Sequence, residues 1–142
     1  MVSTESNSSL YQLHLIGNVL YVELNNVWSK GTVEKVLAET QSLLVDVKNK
    51  PWAAVVDIRN WIMPTFEAFD GFQLIYDWCA ANNQTHEVTL CRFEMQKNII
   101  SNVSNYDAEN QLYTHNAEDA EQWLLNKGFD FSLKELQQAR DC

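Results

Sequence analysis

The stretch that decides the fold is Trp52-Ala53-Ala54-Val55-Val56-Asp57-Ile58, in which Asp57 is the one polar residue. A strand with one face in solvent alternates apolar and polar residues, whereas a strand covered on both faces is apolar almost throughout. We therefore predict that residues 52–58 form a strand at the centre of a sheet, with both of its faces covered.

The residues before this stretch predict a β-hairpin and then a helix. Apolar and polar residues alternate over 10–16 and again over 19–24, and Gly17-Asn18 between them suits a two-residue turn because both residues tolerate a positive φ. From 32 to 47 the apolar residues recur every three or four positions, as on one face of an amphipathic helix. Residues 48–51 end this helix with two lysines and a proline.

The residues after the stretch predict alternating helices and strands. A connecting loop at 59–64 leads to a helix that Thr65 caps and whose apolar face ends at Cys79. The further predicted elements are a strand at 87–93, a helix at 95–102, a short strand at 112–113, a helix at 117–126 between Asn116 and Gly128, and a last short helix that begins at Ser132 with Glu135 in capping-box spacing. This order predicts an α/β fold with a central mixed sheet of about four or five strands, opened by an N-terminal hairpin and joined by crossover helices.

Length and composition are typical of one folded domain. The chain has 142 residues, of which 46% are hydrophobic. A domain of this size buries roughly two-thirds of the surface of its unfolded chain, so a substantial core is expected. We predict that residues 1–9 are a polar lead-in and that 10–142 form a single domain.

Charge and cysteine content indicate a cytoplasmic protein that does not bind nucleic acid. The formal net charge of −9 repels phosphate backbones. The N-terminal residues lack the basic and apolar regions of a signal peptide, and no apolar run is long enough for a transmembrane segment. Cys79, Cys91 and Cys142 have no CxxC spacing, which is typical of thiols in a reducing compartment.

No catalytic, cofactor or metal motif is present. The four glycines, at 17, 31, 71 and 128, are too scattered for a phosphate-binding loop, whose backbone amides need clustered glycines. His14, His86 and His115 are far apart in the chain, so no metal site is expected. Cys79 and Cys91 lie within apolar stretches, and neither belongs to a nucleophile motif. We therefore expect a protein that is not an enzyme and has no cofactor.

The order of elements resembles that of a STAS domain, the domain of SpoIIAA-like anti-sigma-factor antagonists. The residues that carry the resemblance are Val19-Leu20-Tyr21-Val22-Glu23-Leu24 in the entry strand, Val55-Val56-Asp57-Ile58 in the central strand, and Val88-Thr89-Leu90-Cys91 in the next strand. The similarity extends over about residues 13–128 and is one of pattern.

The resemblance implies a phosphorylation switch that this sequence lacks. In anti-sigma-factor antagonists a Ser after the central strand is phosphorylated, and the added charge switches partner binding. The corresponding segment here is Met63-Pro64-Thr65-Phe66-Glu67-Ala68, where Thr65 is the only hydroxyl, and we expect it not to be phosphorylated. The chain is more similar to bacterial SpoIIAA-like proteins without the phosphorylated Ser, whose architecture is related to the CRAL-TRIO lipid-exchange fold.

The candidate binding site lies around the end of the central strand, because ligands and partners of open α/β sheets meet the carboxyl ends of strands. Its predicted residues are Asp57, Arg59, Trp61, Thr65, Phe66, Glu67, Phe69 and Tyr76. Two alternatives remain open at Trp61 and Phe66, which either pack in the core or contact a partner. Arg59 and Glu67 either belong to the site or form an ordinary surface ion pair.

Two functional hypotheses follow. The first is a non-enzymatic STAS-like binding module for regulatory protein–protein interaction, without Ser phosphorylation. The alternative is a CRAL-TRIO-like pocket, under the aromatic helix that follows Thr65, which binds a lipid or other small apolar molecule, with peripheral membrane association. The sequence also leaves a homodimer open.

Overall fold

The structure, a computed structural model, describes residues 2–4, 10–103 and 106–132. One six-stranded sheet runs through the domain with its strands in sequence order. The strands are β1 (Val2–Thr4), β2 (Tyr11–Ile16), β3 (Val19–Trp28), β4 (Trp52–Pro64), β5 (Gln84–Leu90) and β6 (Gln111–Thr114). The helices are α1 (Lys30–Leu43), α2 (Phe69–Ala81), α3 (Glu94–Val103) and α4 (Ala117–Asn126), and a 3-10 turn at Phe66–Ala68 precedes α2.

The sheet is mixed, and the predicted fold class is confirmed. β1, β2 and β3 pair antiparallel, whereas β3 to β6 pair parallel through crossover helices. The predicted hairpin joins β2 to β3, with Ile16 paired with Val19 and Gly17 at φ +59°. The sheet contains one short strand that the sequence did not predict, since β1 lies within the expected polar lead-in.

The helices divide the core into two layers. Apolar residues of α1, α2 and α3, among them Val36, Phe72 and Ile100, pack on one face of the sheet. Leu124 of α4 and Phe129 after it pack on the other face. β4 lies between β3 and β5 and is covered by both layers, as its apolar sequence predicts. We call these two sides the α1–α2–α3 face and the α4 face.

The predicted caps of α4 are confirmed. The Asn116 side chain accepts a hydrogen bond from the Glu118 amide at 2.8 Å, and Gly128 follows the helix at φ +94°. α1 begins two residues earlier than predicted, because Ser29 is the N-cap and accepts from the Thr32 amide. The last predicted helix, which begins at Ser132, lies outside the described residues from position 133 onward.

The largest error of the sequence prediction concerns residues 59–64. The sequence predicts a loop there, but these residues continue β4 to Pro64. They pair with β3, which also continues beyond its predicted end, to Trp28. Arg59 and Asn60 are polar, so the apolar run that identified the strand stops before them. The partner strand lies more than thirty positions away in sequence, so the local composition of residues 59–64 does not predict this pairing.

Candidate functional site

Two β-bulges shape the far ends of β3 and β4. β4 contains one residue more than β3 between Asp57 and Asn60, and a second extra residue, Ile62, lies between Trp61 and Met63. On the opposite strand, Asn26 takes a left-handed backbone conformation with φ 60°. Bulges are rare between parallel strands, and they re-aim side chains next to functional sites.

The first bulge divides the predicted site between the two faces of the sheet. Residues two apart on a strand share a face, so regular alternation would place Trp61 beside Asp57 and Arg59. The extra residue reverses the alternation, and Trp61 lies on the α1–α2–α3 face. Asp57 and Arg59 stay on the α4 face, next to Tyr21.

Asp57, Arg59 and Tyr21 form a compact polar cluster. Arg59 donates from Nε and Nη2 to the two carboxylate oxygens of Asp57, at 2.9 and 2.8 Å, and the Tyr21 hydroxyl donates to Oδ2 at 2.7 Å. Burial raises the pKa of Asp57, but the hydrogen bonds from Arg59 and Tyr21 outweigh it, so the pKa lies below its ordinary value. Arg59 therefore pairs with Asp57, and the surface pair with Glu67 is not formed.

Trp61 lies in the core, which is one of the two alternatives that the sequence left open. Its side chain is 2% exposed, and its ring packs against those of Trp28 and Phe72. The indole N–H has no hydrogen-bond partner among the described residues. Trp61 therefore offers no surface to a partner.

The other predicted site residues are also dispersed. Tyr76 is buried, and its hydroxyl donates to Glu87 at 2.9 Å. Glu67 is exposed, Phe69 is 36% exposed, and Thr65 is half-buried. The side chain of Phe66 lies outside the described residues.

Three other side chains, from segments near this end of the sheet, are large, apolar and exposed. Ile62, Phe93 and Met95 are large apolar residues that are 57%, 58% and 62% exposed. Ile62 is the second bulged residue of β4, whereas Phe93 and Met95 lie at the start of α3. We call these three residues the strand-end patch. A group of exposed apolar side chains is typical of an interaction surface.

Gln96 joins the two halves of the strand-end patch. Its amide oxygen accepts from the Arg92 and Phe93 amides at 2.7 and 3.0 Å, and its NH2 group donates to the carbonyls of Ile58 and Trp61 at 2.7 and 2.9 Å. The side chain is 2% exposed. It therefore ties the start of α3 to the bulged part of β4. Sequence analysis missed Gln96, because Phe93 at the cap position gives no capping-box signal.

A buried acid lies farther inside, on the α1–α2–α3 face. Glu87 is 2% exposed, and no described Lys, Arg or His forms an ion pair with it. Burial raises its pKa to about 7, although hydrogen bonds from Tyr76 and from neighbouring Gln side chains oppose this shift. Glu87 lies in the mostly polar strand 84–90, where one more polar residue carries no separate signal in the sequence.

An internal cavity adjoins Glu87. It has a volume of about 50 Å³, and its wall is mostly apolar, with Phe72 and Ile75 of α2 opposite Val22 and Ala54 of the sheet. Pockets for drug-sized ligands usually measure roughly 300–1,000 Å³. This cavity therefore accommodates a few waters or a very small molecule, and it is too small for a lipid chain.

Neither a metal site nor a membrane span is found in the part of the chain that the structure describes. No group of three or more His, Cys, Asp or Glu side chains there is arranged to hold a metal ion. None of the helices described there has the length and apolar character needed to cross a bilayer.

The backbone is similar to two solved structures. One is an uncharacterized protein of the DUF3478 family from Shewanella loihica with a SpoIIAA-like fold: the TM-score is 0.61, the identity is 14%, and the match covers 84% of this chain and 99% of that chain. The other is the anti-sigma factor antagonist SpoIIAA in its unphosphorylated form, with a TM-score of 0.55, 10% identity, and coverage of 78% of this chain and 92% of that chain. The fold is SpoIIAA-like. No protein-family model and no curated protein matches the sequence.

In this SpoIIAA-like fold, residues 63–68 comprise the end of β4 and the 3-10 turn before α2. The Thr65 amide donates to the Trp28 carbonyl at 2.8 Å, which holds the turn against the end of β3. The segment has no Ser. That Thr65 is not phosphorylated stays a prediction from the sequence.

Proposed function

We propose that this SpoIIAA-like domain is a non-enzymatic binding module that contacts a partner protein through the strand-end patch. The exposure of Ile62, Phe93 and Met95 at one end of the sheet is the observation that carries the proposal. Gln96 and the β4 bulge hold these side chains on fixed backbone, so little conformational entropy is lost when a partner binds.

The chemistry of the thiols supports a binding role rather than catalysis. Burial raises the pKa of the Cys79 thiol far above its ordinary value, and Glu87 nearby raises it further. Burial also raises the pKa of Cys91. A nucleophilic cysteine needs a lowered pKa, so neither thiol is activated.

The proposal is tested by partner capture from a lysate of the cells that produce the protein. The double variant Phe93→Ser and Met95→Ser removes two of the three apolar side chains of the strand-end patch without adding charge. The matched control is Leu74→Ser with Leu125→Ser, since these residues of α2 and α4 are 60% and 57% exposed. We expect a captured protein that the control retains and the Phe93/Met95 variant loses, with unchanged thermal midpoints for both.

Losing two well-packed apolar contacts weakens a complex by at least about tenfold, which is enough to abolish recovery on washed beads. If wild type and the Phe93/Met95 variant capture the same proteins in the same amounts, the strand-end patch is not the binding surface.

A further inference from the structure

A second concave feature borders the strand-end patch. A pocket of about 210 Å³ opens between the carboxyl ends of β5 and β6 and the first turn of α3. Phe93 forms part of its wall, so the pocket and the patch are continuous. We call it the β5–β6 pocket.

The β5–β6 pocket is cationic in a strongly acidic protein. Arg92, Lys97 and His115 line it together with one carboxylate, Glu94. The whole sequence has 10 Lys and Arg against 19 Asp and Glu, so this grouping runs against the overall charge. Among the described residues, none of these three basic side chains forms an ion pair.

The pocket is built on a fixed backbone. The Cys91 amide donates to the Thr114 carbonyl at 2.9 Å, which joins the two strand ends. Gln96 accepts from the Arg92 amide at 2.7 Å. The Lys97 ammonium lies 5.4 Å from the centroid of the Tyr113 ring, a cation–π contact that keeps the charge beside the pocket.

We infer that the β5–β6 pocket binds a carboxylate side chain of an acidic peptide segment in the partner, while a neighbouring apolar side chain of that segment packs on Phe93 and Met95. This inference rests on the proposed function and names the chemistry of its partner. The complementary charge selects an anionic group, because the unpaired cations gain hydrogen bonds to a carboxylate.

The surroundings of the pocket favour a peptide over a free small anion. Arg92 is exposed and Lys97 is half-buried, so neither cation is enclosed as in a dedicated anion site. The apolar surface of Phe93 and Met95 beside the cations suits a ligand that carries both an anionic and an apolar group. The remaining charge of the protein repels an acidic partner, so binding depends strongly on these local cations.

The test uses fluorescence anisotropy with two labelled peptides, one of alternating Glu and Leu and one with Gln in place of every Glu. We expect the Glu peptide to bind the full-length protein at least about tenfold more tightly than the Gln peptide. Arg92→Gln and Lys97→Gln should each weaken binding of the Glu peptide by about tenfold. Lys35→Gln, an exposed lysine of α1, is the matched control and should bind as wild type.

Equal binding of the two peptides, or wild-type affinity of the Arg92→Gln and Lys97→Gln proteins, would overturn the inference. Displacement of the Glu peptide by millimolar-range inorganic phosphate alone would also overturn it, because the site would then be one for free anions. The same variants in partner capture separate the two proposals. If only the Phe93/Met95 variant loses the partner, the charge inference fails and the proposed function stands; if no variant loses it, both fail.

Discussion

The buried residue Glu87 makes the stability of the folded protein depend on pH. The titratable groups that face its carboxyl group are Tyr76 and Cys79 of α2, Tyr106 in the loop before β6, and Tyr113 of β6. All are neutral near pH 7, so no cation offsets a buried negative charge. Ionisation of Glu87 therefore works against the folded state.

The first prediction concerns the pH dependence of stability. The pKa of Glu87 rises from 4.5 to about 7 on folding. Its favourable contribution to the stability of the folded state is therefore complete below about pH 4.5 and is lost as the pH rises through about 7. The shift corresponds to about 3 kcal/mol. Glu87→Gln should therefore gain stability relative to wild type between about pH 4.5 and pH 8, as measured by urea unfolding.

The control for this prediction is Glu34→Gln, because Glu34 is exposed on α1. Both variants are compared with wild type over the same pH interval. A pH-independent difference for Glu87→Gln would mean that Glu87 ionises normally in the folded protein.

At the level of elements, α1 and α2 are in close contact at Gly71. A Cβ atom added at Gly71 would lie 2.6 Å from Cγ1 and 3.3 Å from Cβ of Val33. Val33 is β-branched and buried in a helix, so it has one strongly preferred rotamer and cannot turn away. Glycine at 71 therefore sets the distance between the two helices.

The second prediction follows from this contact. In an exposed helix Gly→Ala stabilises by about 1 kcal/mol, but Gly71→Ala should destabilise by about 1–3 kcal/mol because of the overlap with Val33. In a Val33→Ala background the same substitution should be neutral or stabilising. Chemical denaturation of the four proteins of this double-mutant cycle measures the coupling, and the same sign in both backgrounds would contradict it.

The elements also show where sequence reasoning succeeds and fails. Local patterns predicted the hairpin at Gly17, the buried strand around Val55 and the caps of α4, because each depends on residues close together in the chain. The bulges of β4 depend on pairing with β3, from which β4 is separated by the α1 crossover, and local patterns contain no such information. Since the bulges decide which face Trp61 occupies, the predicted site was dispersed and the strand-end patch was missed.

At the scale of the whole molecule, the size of the internal cavity gives a third prediction. About 50 Å³ does not hold a lipid, so native mass spectrometry of the freshly purified protein should show the mass of the bare chain. A reproducible adduct with the mass of a lipid would instead support the apolar-ligand alternative, and it would require the cavity to enlarge. Delipidation and refolding of the same sample serve as the control.

The strict sequence order of the strands has a consequence for synthesis on the ribosome. Each new strand joins the edge of the sheet already formed, and none of the six described strands has to enter between two that have paired. During translation the N-terminal part of the chain leaves the ribosome first. The hairpin of β2 and β3 can therefore act as a template from which the nascent chain grows one strand at a time, and α4 covers β5 and β6 after both have emerged.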